Sequence, residues 1–225
     1  MSTRGRCLRT PVYNSFEMKT GFFRFLAACA VLVWPLAMLG QAKPDLSGVW
    51  SPEEVLSIAP RANALMLNRK ATEVKRDPDA NCTLSGVPRI ELGPKPFKIL
   101  QSADEVVILY QDFTAFRQIF TDGRALPADP QPSWLGYSVG KWDGDTLVVD
   151  TIGFNHLTWL DNAGTPHSEA LHVTERFHRR DKERLDIQIA IEDPKTFSKP
   201  FTVTGHARLL PSAELTEMIC LESRK

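Results

Sequence analysis

Hydrophobic and polar residues alternate with period two through most of the chain from Phe97 to Leu209. Phe97–Gln101 and Glu105–Tyr110, joined by Ser102-Ala103-Asp104, read as strands, and Thr114–Phe120 as a third, closed by Thr121-Asp122-Gly123-Arg124. A polar, proline-rich link, Leu126–Ser133, leads to the runs Tyr137–Trp142 and Thr146–Gly153. Asp143-Gly144 between them predicts a tight hairpin, because a primed turn needs the positive φ that Asp tolerates and Gly adopts freely. A longer loop, His156–Glu169, precedes Leu171–Arg179, and Arg180–Glu183 turns the chain into Leu185–Glu192 before a last run, Phe201–Leu209. With Val49-Trp50 at the start, nine short strands are expected. Before Phe97 the pattern differs. Pro60 and RANALMLNRKATEVK read as one helix, stopped by Asp77-Pro78-Asp79, and CTLSGVPRIELGPKP reads as a Pro/Gly-rich loop without periodicity. The expected fold is mainly β: a single antiparallel β-barrel or strongly curved meander sheet with one N-terminal helix, the helix and loop forming an insertion over about 52–96.

The first strand opens with Gly48-Val49-Trp50. This Gly-x-Trp resembles the entry motif of lipocalins and related calycin barrels. The resemblance implies that Trp50 closes the barrel floor and that an Arg from the last strand, here Arg208, packs over it.

The N-terminus carries an address. Phe25–Leu39 is an apolar run preceded by Lys19 and Arg24 and followed by Gly40-Gln41-Ala42, the layout of a secretory signal peptide. The run is short for a transmembrane helix and contains Pro35. Cleavage is expected after Ala42, leaving one β-rich domain over 43–225, periplasmic or secreted, with no stable membrane insertion. Met18 is an alternative start. Leu26-Ala27-Ala28-Cys29 matches a lipobox, but the apolar run lies after that cysteine rather than before it. Of four cysteines, Cys82 and Cys220 remain after cleavage, and in an exported chain a disulfide between them is expected.

Charge changes the picture little. The 27 basic and 27 acidic groups of the whole chain become 22 and 26 once residues 1–42 are set aside. This balance offers no overall attraction to nucleic acid or to an anionic membrane surface. No Gly-x-Ser-x-Gly, P-loop or dinucleotide fingerprint is present, and no cofactor is implied.

Alternation nominates the candidate chemistry. Glu175 shares a strand face with Leu171, Val173 and Phe177, Arg117 shares one with Ala115 and Ile119, and Asp150 lies with Val148 and Ile152. An acid turned inward must be paired, hydrogen-bonded or neutralised. Glu175, Asp150, Arg117 and Tyr110 are therefore expected to line a polar floor in an apolar cavity, with Tyr137 across the hairpin from Asp150. The catalytic candidates are Glu175 and Asp150 as general base and His167 from the long loop as acid; Arg117, Tyr110, Tyr137, Trp159 and His172 are the ligand-binding set. The alternative is a buried Arg–carboxylate pair that only holds sheet register. His167-x-Glu169-x2-His172, with His156 and Asp161 nearby, carries metal-capable groups in no established zinc spacing, so no metal is expected. These features point to an exported protein that binds a small, partly apolar molecule. The alternatives are an isomerase, lyase or hydrolase on the same scaffold, and an envelope interaction module without a pocket.

Longer stretches carry a second resemblance. WLGYSVGKWDGDTLVVDTIGFN, TWLDNAGTPHSEALHVTERF and IEDPKTFSKPFTV, with FRQIFTDGR and ANCTLSGVPR upstream, are similar to a large group of uncharacterised bacterial secreted proteins. The likeness covers most of the chain from Asp45. It implies export and a single β-rich domain, and brings no site residues with it.

Overall fold

The structure, a computed structural model, describes residues 43–67, Asp77 and 82–220. The expected signal peptide, the two alternative starts and the lipobox match lie outside these residues. The chain divides into Met1–Leu39 and Gly40–Lys225, and every described residue belongs to the second unit.

Nine strands close into a barrel in chain order: β1 Gly48–Pro52, β2 Phe97–Gln101, β3 Glu105–Tyr110, β4 Phe116–Phe120, β5 Tyr137–Asp143, β6 Thr146–Ile152, β7 His172–Arg179, β8 Arg184–Glu192 and β9 Phe201–Leu209. Neighbours in a ring of nine cannot all be antiparallel, so one pair must run the same way. That pair is β4–β5. The proline-rich link, part of residues 121–136, supplies the long crossover that parallel neighbours require. It is also the thinnest seam, with only Ile119↔Ser138 and Phe120↔Val139 in register. Gly140 permits the approach there: a Cβ on it would sit 2.9 Å from Ile119 Cγ2 and 3.0 Å from Thr121 Cγ2.

The β5–β6 turn is Gly144-Asp145, one residue later than expected, with Asp143 facing Thr146. Gly144 has φ 63° at the first central position, as a II′ turn demands. The shift moves every cross-strand partner by two: Asp150 faces Val139, not Tyr137.

The barrel interior is filled by its own side chains, among them Phe97, Ile108, Ile119, Leu147, Val149, Phe177 and Ile189, all buried. Trp50 is fully buried at one end, its Nε1 donating to the Leu46 carbonyl at 2.9 Å. The guanidinium over Trp50 belongs to Arg179, 5.3 Å from the ring centroid, and not to Arg208, which is exposed. Arg208 lies in register with outward Ser51, so its side chain leaves the barrel rather than crossing the floor.

The insertion after β1 is shorter in helix than expected. Helix α1 spans Ala59–Leu65, and Met66 is already extended and bridged to Phe197. A second helix, α2 Arg89–Leu92, stands where an irregular loop was expected, and all four of its residues are buried. Its Ile90 and Leu92 join the hydrophobic core. The Cys82–Cys220 disulfide is formed.

Candidate functional site

The buried polar centre of the barrel is built around Arg117. Alternation on β4 turns Arg117 and Ile119 inward, and the guanidinium meets groups from three further strands and α2. Nε donates to Ser138 Oγ on β5 at 3.0 Å, and Nη2 donates to Thr151 Oγ1 on β6 at 2.7 Å. Nη1 donates to Glu175 Oε1 on β7 at 3.0 Å and to Glu91 Oε1 on α2 at 2.6 Å. Nη2 closes the fork onto Glu175 Oε2. All five N–H donors of the arginine are therefore used. Glu91 Oε1 also accepts from the Tyr110 hydroxyl at 2.5 Å. Arg117, Glu175, Glu91 and Tyr110 are almost wholly shielded from solvent.

Charge neutrality decides the protonation. One guanidinium faces two carboxyls, so a buried site with both ionised would carry a net negative charge. Burial, and next the charge of Glu175, push the Glu91 carboxyl well above its ordinary range. Glu175 feels the same burial, but the Arg117 charge and its hydrogen bonds hold it below the ordinary range. Glu91 Oε1 accepts from Arg117 and Tyr110 while its buried Oε2 meets no partner among the described residues, so Glu91 is the carboxyl that holds the proton and Glu175 the one that stays ionised. Burial, followed by the neighbouring Glu91, raises the Tyr110 hydroxyl well above its usual value. Beside Glu91 the enclosed space, lined also by Leu56, Leu92, Ile187 and Gly205, is about 10 Å³. That is room for a water molecule at most.

A consequence can be measured. Because the folded pKa of Glu91 is raised, its contribution is fully present below the unfolded value of 4.5 and is lost as pH rises towards its folded titration. Glu175 has the opposite sign: its contribution is present above 4.5 and is lost as pH falls through its depressed value. Glu91→Gln keeps the shape of the protonated acid and its donor. Wild-type stability should fall by about 1.4 kcal/mol per pH unit from this one group as pH rises above 4.5. Urea midpoints collected from pH 5 to 8 should show that slope flattened in the variant. An unchanged slope would remove the proton from Glu91.

The other expected site residues are scattered. Asp150 lies on the outer face of β6, where it accepts from Thr174 Oγ1 at 2.8 Å and meets His172 Nε2 at 3.2 Å. It does share its side with Val148 and Ile152, but the inward side of β6 is Leu147, Val149 and Thr151. Glu175 and Asp150 therefore stand on opposite sides of the wall and cannot act on one substrate. Tyr137 is likewise outward, 5.5 Å from Phe120 and accepting from Arg124 Nη1 at 3.3 Å.

His167 is buried away from Glu175 in the long loop. Its Nε2 meets Thr158 Oγ1 at 2.7 Å and its Nδ1 the Ser168 carbonyl at 3.0 Å. Burial lowers its pKa, so the neutral ring donates from Nδ1 and accepts at Nε2. Neither nitrogen is left for a ligand. Trp159 packs beneath the Arg89 guanidinium, 5.3 Å from its ring centroid. Asp161 is a buried hub: Oδ2 accepts from the Ile58 and Ala59 amides at 2.9 and 3.0 Å, capping α1 from a distance, and Oδ1 accepts from those of Ala163 and Thr165, both at 3.1 Å. Glu169 is exposed and paired with Lys195. Among the described residues no group of three or more His, Cys, Asp or Glu side chains is placed to hold a metal ion.

Sequence reasoning missed Glu91. The available signal was an acid flanked by Ile90 and Leu92 within the otherwise irregular stretch before Phe97.

Besides a groove of about 400 Å³ between β3 and the tail residues Leu215, Thr216 and Glu217, a second ligand-sized space lies on the wall where the proline-rich link crosses the end of β6 and the start of β7. It is a groove of about 350 Å³, lined by Pro130, Pro132, Ile152 and Leu171 and by the polar Asp129, Glu169 and His172. Comparison of the chain with family models, with curated proteins and with solved structures finds no match.

Proposed function

We propose that this is an exported protein that binds a small, partly apolar molecule in the groove beside His172, not inside the barrel. The observation that carries the reading is the groove's size and mixed lining: about 350 Å³, with Pro130, Pro132, Ile152 and Leu171 beside Asp129, Glu169 and His172, within the range of small-molecule sites. His172, held against Asp150 at 3.2 Å, would orient the ligand's polar end. The Asp129 carboxylate would favour a ligand with a donor or positive charge there. The filled interior argues against a lipocalin-like container. Export is supported by the Cys82–Cys220 disulfide. Membership of the bacterial secreted group suggested by the hairpin motifs belongs to the same reading.

Ala170→Trp tests it. Ala170 lines the groove in a half-buried loop position, so an indole there should fill the space without entering the core. Exported wild type should carry a bound small molecule, seen as a mass difference between native and denaturing spectra, or should be stabilised by apolar amines in thermal screening. The variant should lose that mass or response at an unchanged unfolding temperature. A ligand retained by the folded variant would place binding elsewhere.

A further inference from the structure

The register across β1, β9 and β8 places three outward residues in one row. Ser51 faces Arg208, and Arg208 faces Arg184. Both arginines are exposed. Directly opposed residues on antiparallel strands have Cβ atoms about 4.5–5.5 Å apart, and like charges at such positions destabilise the pair. The remedy would be a carboxylate between them, and among the described residues none is in place. Asp186, the nearest acid on the face of β8, has both oxygens taken: Oδ1 by His206 at 2.7 Å, Oδ2 by Arg180 at 2.9 Å. Glu53 and Glu183 are close along the chain, but neither forms an ion pair with a described residue. The other arginines at this end are engaged: Arg176 with Asp143, Arg180 with Asp186, and Arg179 with the Asp45 and Lys182 carbonyls. Arg184 and Arg208 are the exceptions, in a mature chain with more acids than bases.

We propose that Arg184, Arg208 and the Ser51 hydroxyl form a binding site for a phosphate-type oxyanion, either free or carried as the headgroup of an anionic lipid. Two guanidinium forks on one row can each present a pair of N–H donors to a tetrahedral anion, a geometry that lysine does not offer. The anion neutralises the opposed charges and turns an unfavourable cross-strand pair into a bridged one. The hydroxyl adds a donor from the third strand. This site is on a different part of the wall from the groove beside His172 and does not depend on it.

The test uses the exported protein with its disulfide intact, with Arg184→Gln and Arg208→Gln as variants. Thermal unfolding is followed against inorganic phosphate and, at matched ionic strength, against chloride. Co-sedimentation is measured with vesicles of phosphatidylcholine alone and with added phosphatidylglycerol. In phosphate-free, low-salt buffer each variant should unfold at a higher temperature than wild type, because one of two opposed charges has gone. Each should also bind the anion about tenfold more weakly, the loss expected for one charge-assisted contact. A response to phosphate alone identifies a free anion, and one to phosphatidylglycerol vesicles alone identifies a headgroup. If neither probe binds wild type, if the variants bind as wild type does, or if they are less stable without anion, the proposal is overturned.

Discussion

Arg117→Met should unfold the barrel under conditions in which the wild type is folded. The substitution retains most of the side-chain volume, so the loss comes from charge. Glu175, ionised and fully buried, would lose the bidentate guanidinium that makes both of its hydrogen bonds to described residues. Stranding one partner of a buried pair costs about 3–5 kcal/mol, against a total of about 5–15 kcal/mol for a domain. The position adds to this, because Arg117 crosses the β4–β5 seam, where two residue pairs are in register, and ties β4 to β5, β6 and β7. Urea titration with far-UV circular dichroism measures the loss. The companion Arg117→Met/Glu175→Gln separates two causes. Recovery of most of the stability would show that the stranded carboxylate was the damage. A double variant as weak as the single one would show that the network itself closes the seam.

Replacing Cys82 and Cys220 with serine should lower stability by about 4–5 kcal/mol, the chain-entropy value for so long a loop. The bridge spans 138 residues and encloses β2 to β9, so its removal frees the unfolded ensemble across eight of the nine strands. It also unpins the end of the C-terminal tail, leaving Met218 held by Thr114 through bonds of 3.2 Å. The expected result is a lower urea midpoint and an earlier loss of the tail's amide protection than of the strands'. The same loss should follow reduction of the wild type, and a reduced protein as stable as the oxidised one would refute the argument.

The strands were legible because their signal is local. Phe97–Gln101, Glu105–Tyr110 and Phe201–Leu209 are found at the expected bounds, since alternation on a half-buried wall writes itself into every second residue. The inward positions of Glu175 and Arg117 followed from the same rule, as did the burial of Tyr110. Asp150 did not, because alternation separates two faces without saying which one is inside. On β6 both faces carry apolar residues: Val148 is buried although it points outward. Helix propensity in Arg61–Lys75 was overridden at Met66, where the backbone pairs with Phe197 instead. Glu91 was hidden because a helix of four residues has no period to read.

Composition and pattern alone therefore determined the β class, most strand bounds and the cysteine pair, all of which depend on residues close in sequence or few in number. Tertiary structure decided which face of each strand is the interior and that the interior is full. It also brought Glu91 to Arg117 and set Arg184 against Arg208. These last pairings join residues from distant parts of the chain, and only strand register and barrel closure, global properties of the folded chain, can bring such residues together.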